Sequence, residues 1–181
     1  MANDSNLDVF IDKFTGGNRT HRYDVEMNFP TGVGADSETD LNKFFIRAAS
    51  LPPSQITPIR VPYRGRILKW PGDRIYFPFT FRVLDQNTSK NKSLWNSFNK
   101  WSNVINDHES NVSSQEWNKF TTDWEIHQVD TGGEIIKSVK LIGCWPTIVG
   151  PISMDSNSID TLVEFTVTVE YQYNLVKGIN Y

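Results

Sequence analysis

Val61-Pro62-Tyr63-Arg64-Gly65-Arg66-Ile67-Leu68-Lys69-Trp70-Pro71-Gly72-Asp73-Arg74 lies between a proline break, Leu51-Pro52-Pro53, and an aromatic run from Ile75 to Val83. Proline donates no ladder hydrogen bond, so the break ends a preceding strand, Phe44 to Ala49, and opens an arm over residues 54–74. Arg60, Arg64, Arg66, Lys69, Arg74 and Arg82 crowd into this region of a chain whose net charge is -3. A local cationic cluster on an acidic chain predicts an acidic surface on a partner chain, and tight nucleic-acid binding, which needs a dominant basic face, is not expected.

On the far side of the arm, Ile75, Phe77, Phe79, Phe81 and Val83 alternate with Arg74, Tyr76, Pro78, Thr80 and Arg82. This is the period of a half-buried strand, and Pro78 predicts a sheet edge or a bulge where another chain could pair. Tyr23 to Phe29 alternates in the same way, and Pro30 ends it. The following 31–38 segment, with Gly32 and Gly34 among acids, reads as a loop; no Gly-Lys-Ser/Thr follows to make it a phosphate cradle.

From Lys92 to Asn106 the period becomes helical, with Leu94, Phe98, Trp101 and Ile105 on one stripe and Asn87, Thr88 or Ser89 as the expected cap. The tryptophans on that stripe read as core. Gly132-Gly133 suits a two-residue hairpin turn, which sets Trp124 opposite Leu141, Ile126 opposite Val139, Glu125 opposite Lys140 and Val129 opposite Ile136. The last strand places Val163, Phe165, Val167, Val169, Tyr171 and Tyr173 on one face and Glu164, Thr166, Thr168, Glu170 and Gln172 on the other. Strands dominate and one helix interrupts them, so the expected architecture is a mainly β sandwich or partial barrel with a flanking helix, a single domain over 1–181.

No residue pattern calls for catalysis, a cofactor or a metal. His21, His108 and His127 form no ligand pair with one another or with Cys144. His127 shares a hairpin face with Glu125 and reads as part of a solvated strand face. Cys144, with no basic neighbour, reads as buried and inert, and a lone cysteine predicts folding in a reducing compartment. No apolar run is long enough for a membrane anchor.

Ala48-Ala49-Ser50-Leu51-Pro52, Val61-Pro62-Tyr63, Arg66, Gly72-Asp73-Arg74 and Phe79-Thr80-Phe81-Arg82-Val83-Leu84-Asp85 together resemble the tail tube proteins of contractile-tailed, T-even-like bacteriophages. Gly143-Cys144-Trp145-Pro146-Thr147-Ile148-Val149-Gly150 and the strand after it extend the resemblance over most of the chain from Tyr23 onward. The resemblance implies six copies in a ring with a continuous inner β-barrel, rings stacked into a tube, and a conduit for DNA ejection inside a contractile sheath. Implied partners are the chain itself, the tail sheath protein, and baseplate and tail terminator proteins; DNA passes without specific binding. The implied location is the virion tail, assembled in the host cytoplasm.

By the same resemblance the arm reaches the neighbouring ring, with Arg60, Tyr63, Arg64, Arg66, Lys69, Asp73 and Arg74 as contact residues and Asp36, Glu38 or Asp40 as acidic counterparts. A basic lumen would hold DNA through counterion release, so Glu164, Thr166, Thr168, Glu170 and Gln172 are candidate lumen residues. Alternatives are a baseplate protein that initiates the tube, the tube protein of a contractile injection system, and a monomeric ligand-binding β-barrel whose arm is a lid.

Overall fold

A computed structural model describes residues 6–14, 19–31, 33, 45–85, 93–113 and 116–177. Its elements in chain order are α1 (Asn6–Lys13), β1 (Tyr23–Glu26), β2 (Ile46–Ala49), β3 (Ser54–Tyr63), β4 (Arg66–Tyr76), β5 (Phe79–Leu84), α2 (Leu94–Ile105), α3 (Trp117–Phe120), β6 (Thr122–Val129), β7 (Ile135–Val149), β8 (Glu164–Glu170) and β9 (Tyr173–Val176). The mainly β architecture is as expected, with α1 and the single turn α3 added to the expected helix.

All the strand pairings are antiparallel, and the sheet order is β1-β6-β7-β8-β5-β2, with β9 also on β7. The 15-residue β7 makes this possible, because its first part pairs with β6 and β9 while residues 145–149 pair with β8. Gly143 is the pivot. It holds φ +68, a region costly for any residue with a Cβ, and the β6–β7 register shifts there between Thr122↔Cys144 and Trp124↔Leu141. Asp123 Oδ1 accepts from the Gly143 amide at 3.0 Å and fixes the bulge. One strand thus serves two layers: β1-β6-β7-β9, and β7-β8-β5-β2.

Between the layers lies an aromatic core. Phe98 of α2 packs against Trp101, Trp124, Phe81, Phe29 and Phe165 with ring centroids 5.2–6.4 Å apart. The indole N–H groups are satisfied: Trp101 donates to Phe120 O at 2.7 Å and Trp124 to Asn28 O at 2.8 Å. The tryptophan stripe is core, as its helical period indicates. The N-cap of α2 is Ser93, whose hydroxyl oxygen accepts from the Asn96 amide at 3.3 Å and donates to Asp85 at 2.9 Å. The expected caps, Asn87, Thr88 and Ser89, lie outside the described residues, as does most of the loop at 31–38.

Four local expectations are corrected. The run Ile75–Val83 is two elements, because the chain breaks at Phe77-Pro78 and the inward phase changes: Ile75 and Phe77 are exposed, Tyr76 turns toward the core, and Phe79, Phe81 and Val83 are buried. Nor is β5 an edge, since β8 and β2 flank it. At the 130–134 hairpin, Trp124↔Leu141, Glu125↔Lys140 and Ile126↔Val139 hold, but Val129 faces Ile135 instead of Ile136. The loop is one residue longer than Gly132-Gly133. Gly133 donates to Asp130 O at 3.1 Å, only Gly133 of the two glycines has positive φ, and Asp130 N donates to Glu134 O, which is a turn followed by a glycine bulge. Lastly, the closing run divides after Glu170, so that Val163 and Tyr173 are exposed and Tyr173 begins β9.

Candidate functional site

The arm expected at 54–74 is the β3–β4 hairpin, a separate two-stranded sheet in which every residue of β3 is exposed. Its tip is Arg64-Gly65, both at positive φ (46 and 79), the geometry of a tight turn matched to strand twist. That turn sets the pairs Tyr63↔Arg66, Pro62↔Ile67, Val61↔Leu68, Arg60↔Lys69 and Ile59↔Trp70. Directly opposed residues share a face and successive pairs alternate. One face therefore carries Ile59, Trp70, Val61, Leu68 and Tyr63, with Arg66 at its tip. The opposite face carries Arg60 and Lys69.

The cationic cluster read from the sequence is thus dispersed. Arg60 and Lys69 lie on one face, Arg64 sits at the tip with its guanidinium 5.4 Å from the Tyr63 ring centroid, and Arg74 is at the root, donating to Ser54 Oγ at 3.0 Å. Asp73 is exposed on β4 near that root. Arg82 is not on the arm at all, since it belongs to β5. What the hairpin displays contiguously is apolar: Trp70 is 62% exposed, Leu68 56% and Ile59 53%. The sequence signal for this ladder was the Arg-Gly turn, which determines the pairings from Tyr63↔Arg66 back to Pro58↔Pro71.

Among the described residues, the β7-β8-β5-β2 layer is unpaired at its two margins. Among the described residues, β2 pairs only with β5, and residues 145–149 of β7 pair only with β8. The face of this layer turned away from the core holds Arg47, Thr80, Arg82, Glu164, Thr166, Thr168 and Glu170. Thr80 and Thr168 hydroxyls lie 3.2 Å apart, and Glu164 meets Arg47 at 2.7 Å and Arg82 at 3.8 Å. Gln172 stands apart from the other candidate lumen residues. It follows the end of β8, and its amide donates to Ile142 O at 2.9 Å. Asp36, Glu38 and Asp40 lie outside the described residues.

Among the described residues, an exposed hairpin, two unpaired sheet margins and a polar sheet face are left at the surface. A family model described as phage tail tube protein matches residues 18–177. The chain belongs to the phage tail tube protein family. This family member is 30% identical over 159 residues to the tail tube protein of Serratia phage KSP90, a match covering 86% of each chain. Its fold is similar to that of a chain in the six-fold symmetrised baseplate of the anti-feeding prophage, with TM-score 0.64, 13% identity and coverage of 92% and 99%. A chain in the extended sheath–tube complex of the PVC extracellular contractile injection system superposes with TM-score 0.61 at 17% identity, over 97% of this chain and 99% of that one. Membership makes the chain a structural component of a phage tail.

Among the described residues of this tail tube family member, the other polar groups to consider are the Glu26, Glu125 and His127 cluster, Cys144 and Tyr171. His127 is 7% exposed, not on a solvated face as expected; it sits between Glu26 and Glu125, with Nε2 3.7 and 3.6 Å from their carboxylates. A metal on Nε2 would leave the proton on Nδ1, which is buried without an acceptor, and metal-binding imidazoles need that second bond. Cys144 is buried, and desolvation pushes its thiol up to about 12, so it stays protonated. Burial likewise raises Tyr171 to about 12.

Two exposed apolar surfaces were not read from the sequence. On α1 and the residue that follows it, Leu7, Phe10, Ile11 and Phe14 are all more than half exposed, and their i, i+3, i+4, i+7 spacing was the available signal. The segment after β7 exposes Met154, Ile159 and Leu162. It has no period, which is why it was invisible.

Proposed function

We propose that the chain forms hexameric rings that stack into the inner tube of a contractile tail, through which DNA is ejected. The β7-β8-β5-β2 layer of each copy joins that of its neighbours through its open margins, so six copies close an inner barrel without free edges. The β3–β4 hairpin reaches the adjacent ring, a head-to-tail joint that does not close and so propagates a filament. Sheath, baseplate and terminator proteins complete the assembly in the host cytoplasm. Arg60, Tyr63, Arg64, Arg66, Lys69, Asp73 and Arg74 lie at or near the axial joint; Glu164, Thr166, Thr168 and Glu170 line the lumen, with Gln172 at its margin. The chain performs no catalysis in this role.

The observation that carries the reading is the exposed apolar ladder of the hairpin. An isolated two-stranded hairpin is marginal in water, and burying each large apolar side chain contributes about 1.5–3 kcal/mol. An exposed ion pair contributes about 0–1 kcal/mol. The axial joint is therefore driven by Ile59, Val61, Leu68 and Trp70, while the arginines orient it. Negative-stain microscopy of the purified chain tests this: hollow rods or stacked rings from the native chain and single rings from Trp70→Ala are expected. Rods of native length from Trp70→Ala would refute the ladder's role.

A further inference from the structure

Glu164 occupies an unusual position for a surface acid. Residues Arg47 of β2, Arg82 of β5 and Glu164 of β8 lie on three adjacent strands, and each Glu164 oxygen serves a different guanidinium: Oε1 is 2.7 Å from Arg47 Nη1 and Oε2 is 3.8 Å from Arg82 Nη1. These two arginines are the only cations in the β2, β5 and β8 strands and in residues 145–149 of β7. Their side chains are more than half exposed, so the pairs add little to stability. Their consequence is electrostatic. With Glu170 on the same face, the layer carries two cations against two acids and no net charge.

We propose that Glu164 masks Arg47 and Arg82, so that this face does not grip the phosphate backbone of DNA. The proposal rests on the reading of that face as the lumen. Duplex DNA presents about one charge per 1.7 Å of axis, and each cation that neutralises a phosphate adds to affinity by counterion release. Repetition multiplies the effect, because every copy in every ring would offer the same two guanidinium groups. A single unmasked pair per copy would turn a sliding surface into a retaining one.

The test uses the unassembled chain, whose polar face is open, and a fluorescent duplex of about 30 base pairs titrated between about 50 and 200 mM salt. Glu164→Gln is expected to raise duplex affinity about threefold or more at the lower salt, with a steeper salt dependence. The triple variant Glu164→Gln, Arg47→Gln, Arg82→Gln returns both to the native values. The basic hairpin contributes equally to every variant, so only differences are read. Unchanged affinity in E164Q, or a triple variant that stays elevated, overturns the masking role. The lumen reading is tested separately with Thr166→Cys in assembled tubes, where a small maleimide reacts and one carrying streptavidin does not. Reaction with the bulky reagent would reject the lumen assignment and leave the charge result standing.

Discussion

Two antiparallel hairpins in this molecule have similar local chemistry and opposite surroundings. In β6–β7, Trp124 pairs with Leu141 and Ile126 with Val139, and all four are buried against α2 and the second layer. In β3–β4, Ile59 pairs with Trp70 and Val61 with Leu68, and all four are exposed. Cross-strand apolar pairs stabilise a sheet only when their face is removed from water. The first hairpin is completed within the chain; under the proposed function the second is completed by a neighbouring copy. On that proposal, stability rests on Trp124 and assembly on Trp70.

The widest separation is expected from those tryptophans. Trp124→Ala removes a fully buried ring that touches Phe81, Phe98 and Trp101, and should cost about 3–5 kcal/mol in denaturant unfolding of the soluble chain. Trp70→Ala should change the same measurement by less than about 0.5 kcal/mol and yet abolish tube growth. Equal destabilisation by the two would erase the distinction.

A smaller effect is expected at the turns. Gly143→Val forces a branched side chain into φ +68 at the bulge that redirects β7, and should destabilise the soluble chain by about 1–3 kcal/mol. Gly65→Val imposes a like strain on the arm tip, at φ 79, and should be read in elongation rate while leaving the melting temperature of the soluble chain unchanged. Smaller again is Arg64→Glu with Arg66→Glu. Light scattering should report elongation slowed in a salt-dependent way, since exposed charges are screened; a block as complete as that of Trp70→Ala would restore the arginines as the main source of axial affinity.

The smallest effect concerns pH. Cys144 and Tyr171 have folded values raised to about 12 from ordinary values of 9.0 and 10.0. Raised folded values mean that the unfolded chain loses protons first, so stability is complete below about pH 9 and is lost as pH rises toward about 12. Melting temperature should be flat near neutrality and decline across that window. Cys144→Ala should make the early part of the decline shallower; an unchanged slope would exclude the thiol as a contributor.

Much of the fold was legible because its decisive signals are local. The alternation from Phe165 to Tyr171, the helical stripe Leu94, Phe98, Trp101, and the β6–β7 register each follow from period and pairing chemistry. What was missed lies where one residue changes the phase. Pro78 breaks the ladder, so Ile75 and Phe77 leave the face that Phe79 and Phe81 occupy. Thr131 joins the glycines in the turn, and Val129 meets Ile135. On the arm, the arginines dominate the composition, but the faces are set by the Arg64-Gly65 turn and by the register shift between Ile56 and Pro58. Charge is visible residue by residue, whereas a ladder becomes visible only after the strands are paired. His127 shows the same limit: its burial depends on the neighbours of β6, which its own strand does not specify.

Hydrogen exchange on residues 54–76, in the soluble chain and in assembled tubes, tests most directly whether another copy completes the exposed hairpin. Rapid exchange in the soluble chain with strong protection in the tube, beside a β6–β7 hairpin protected in both, is the expected result. A β3–β4 hairpin that exchanges equally fast in tube and soluble chain would contradict it.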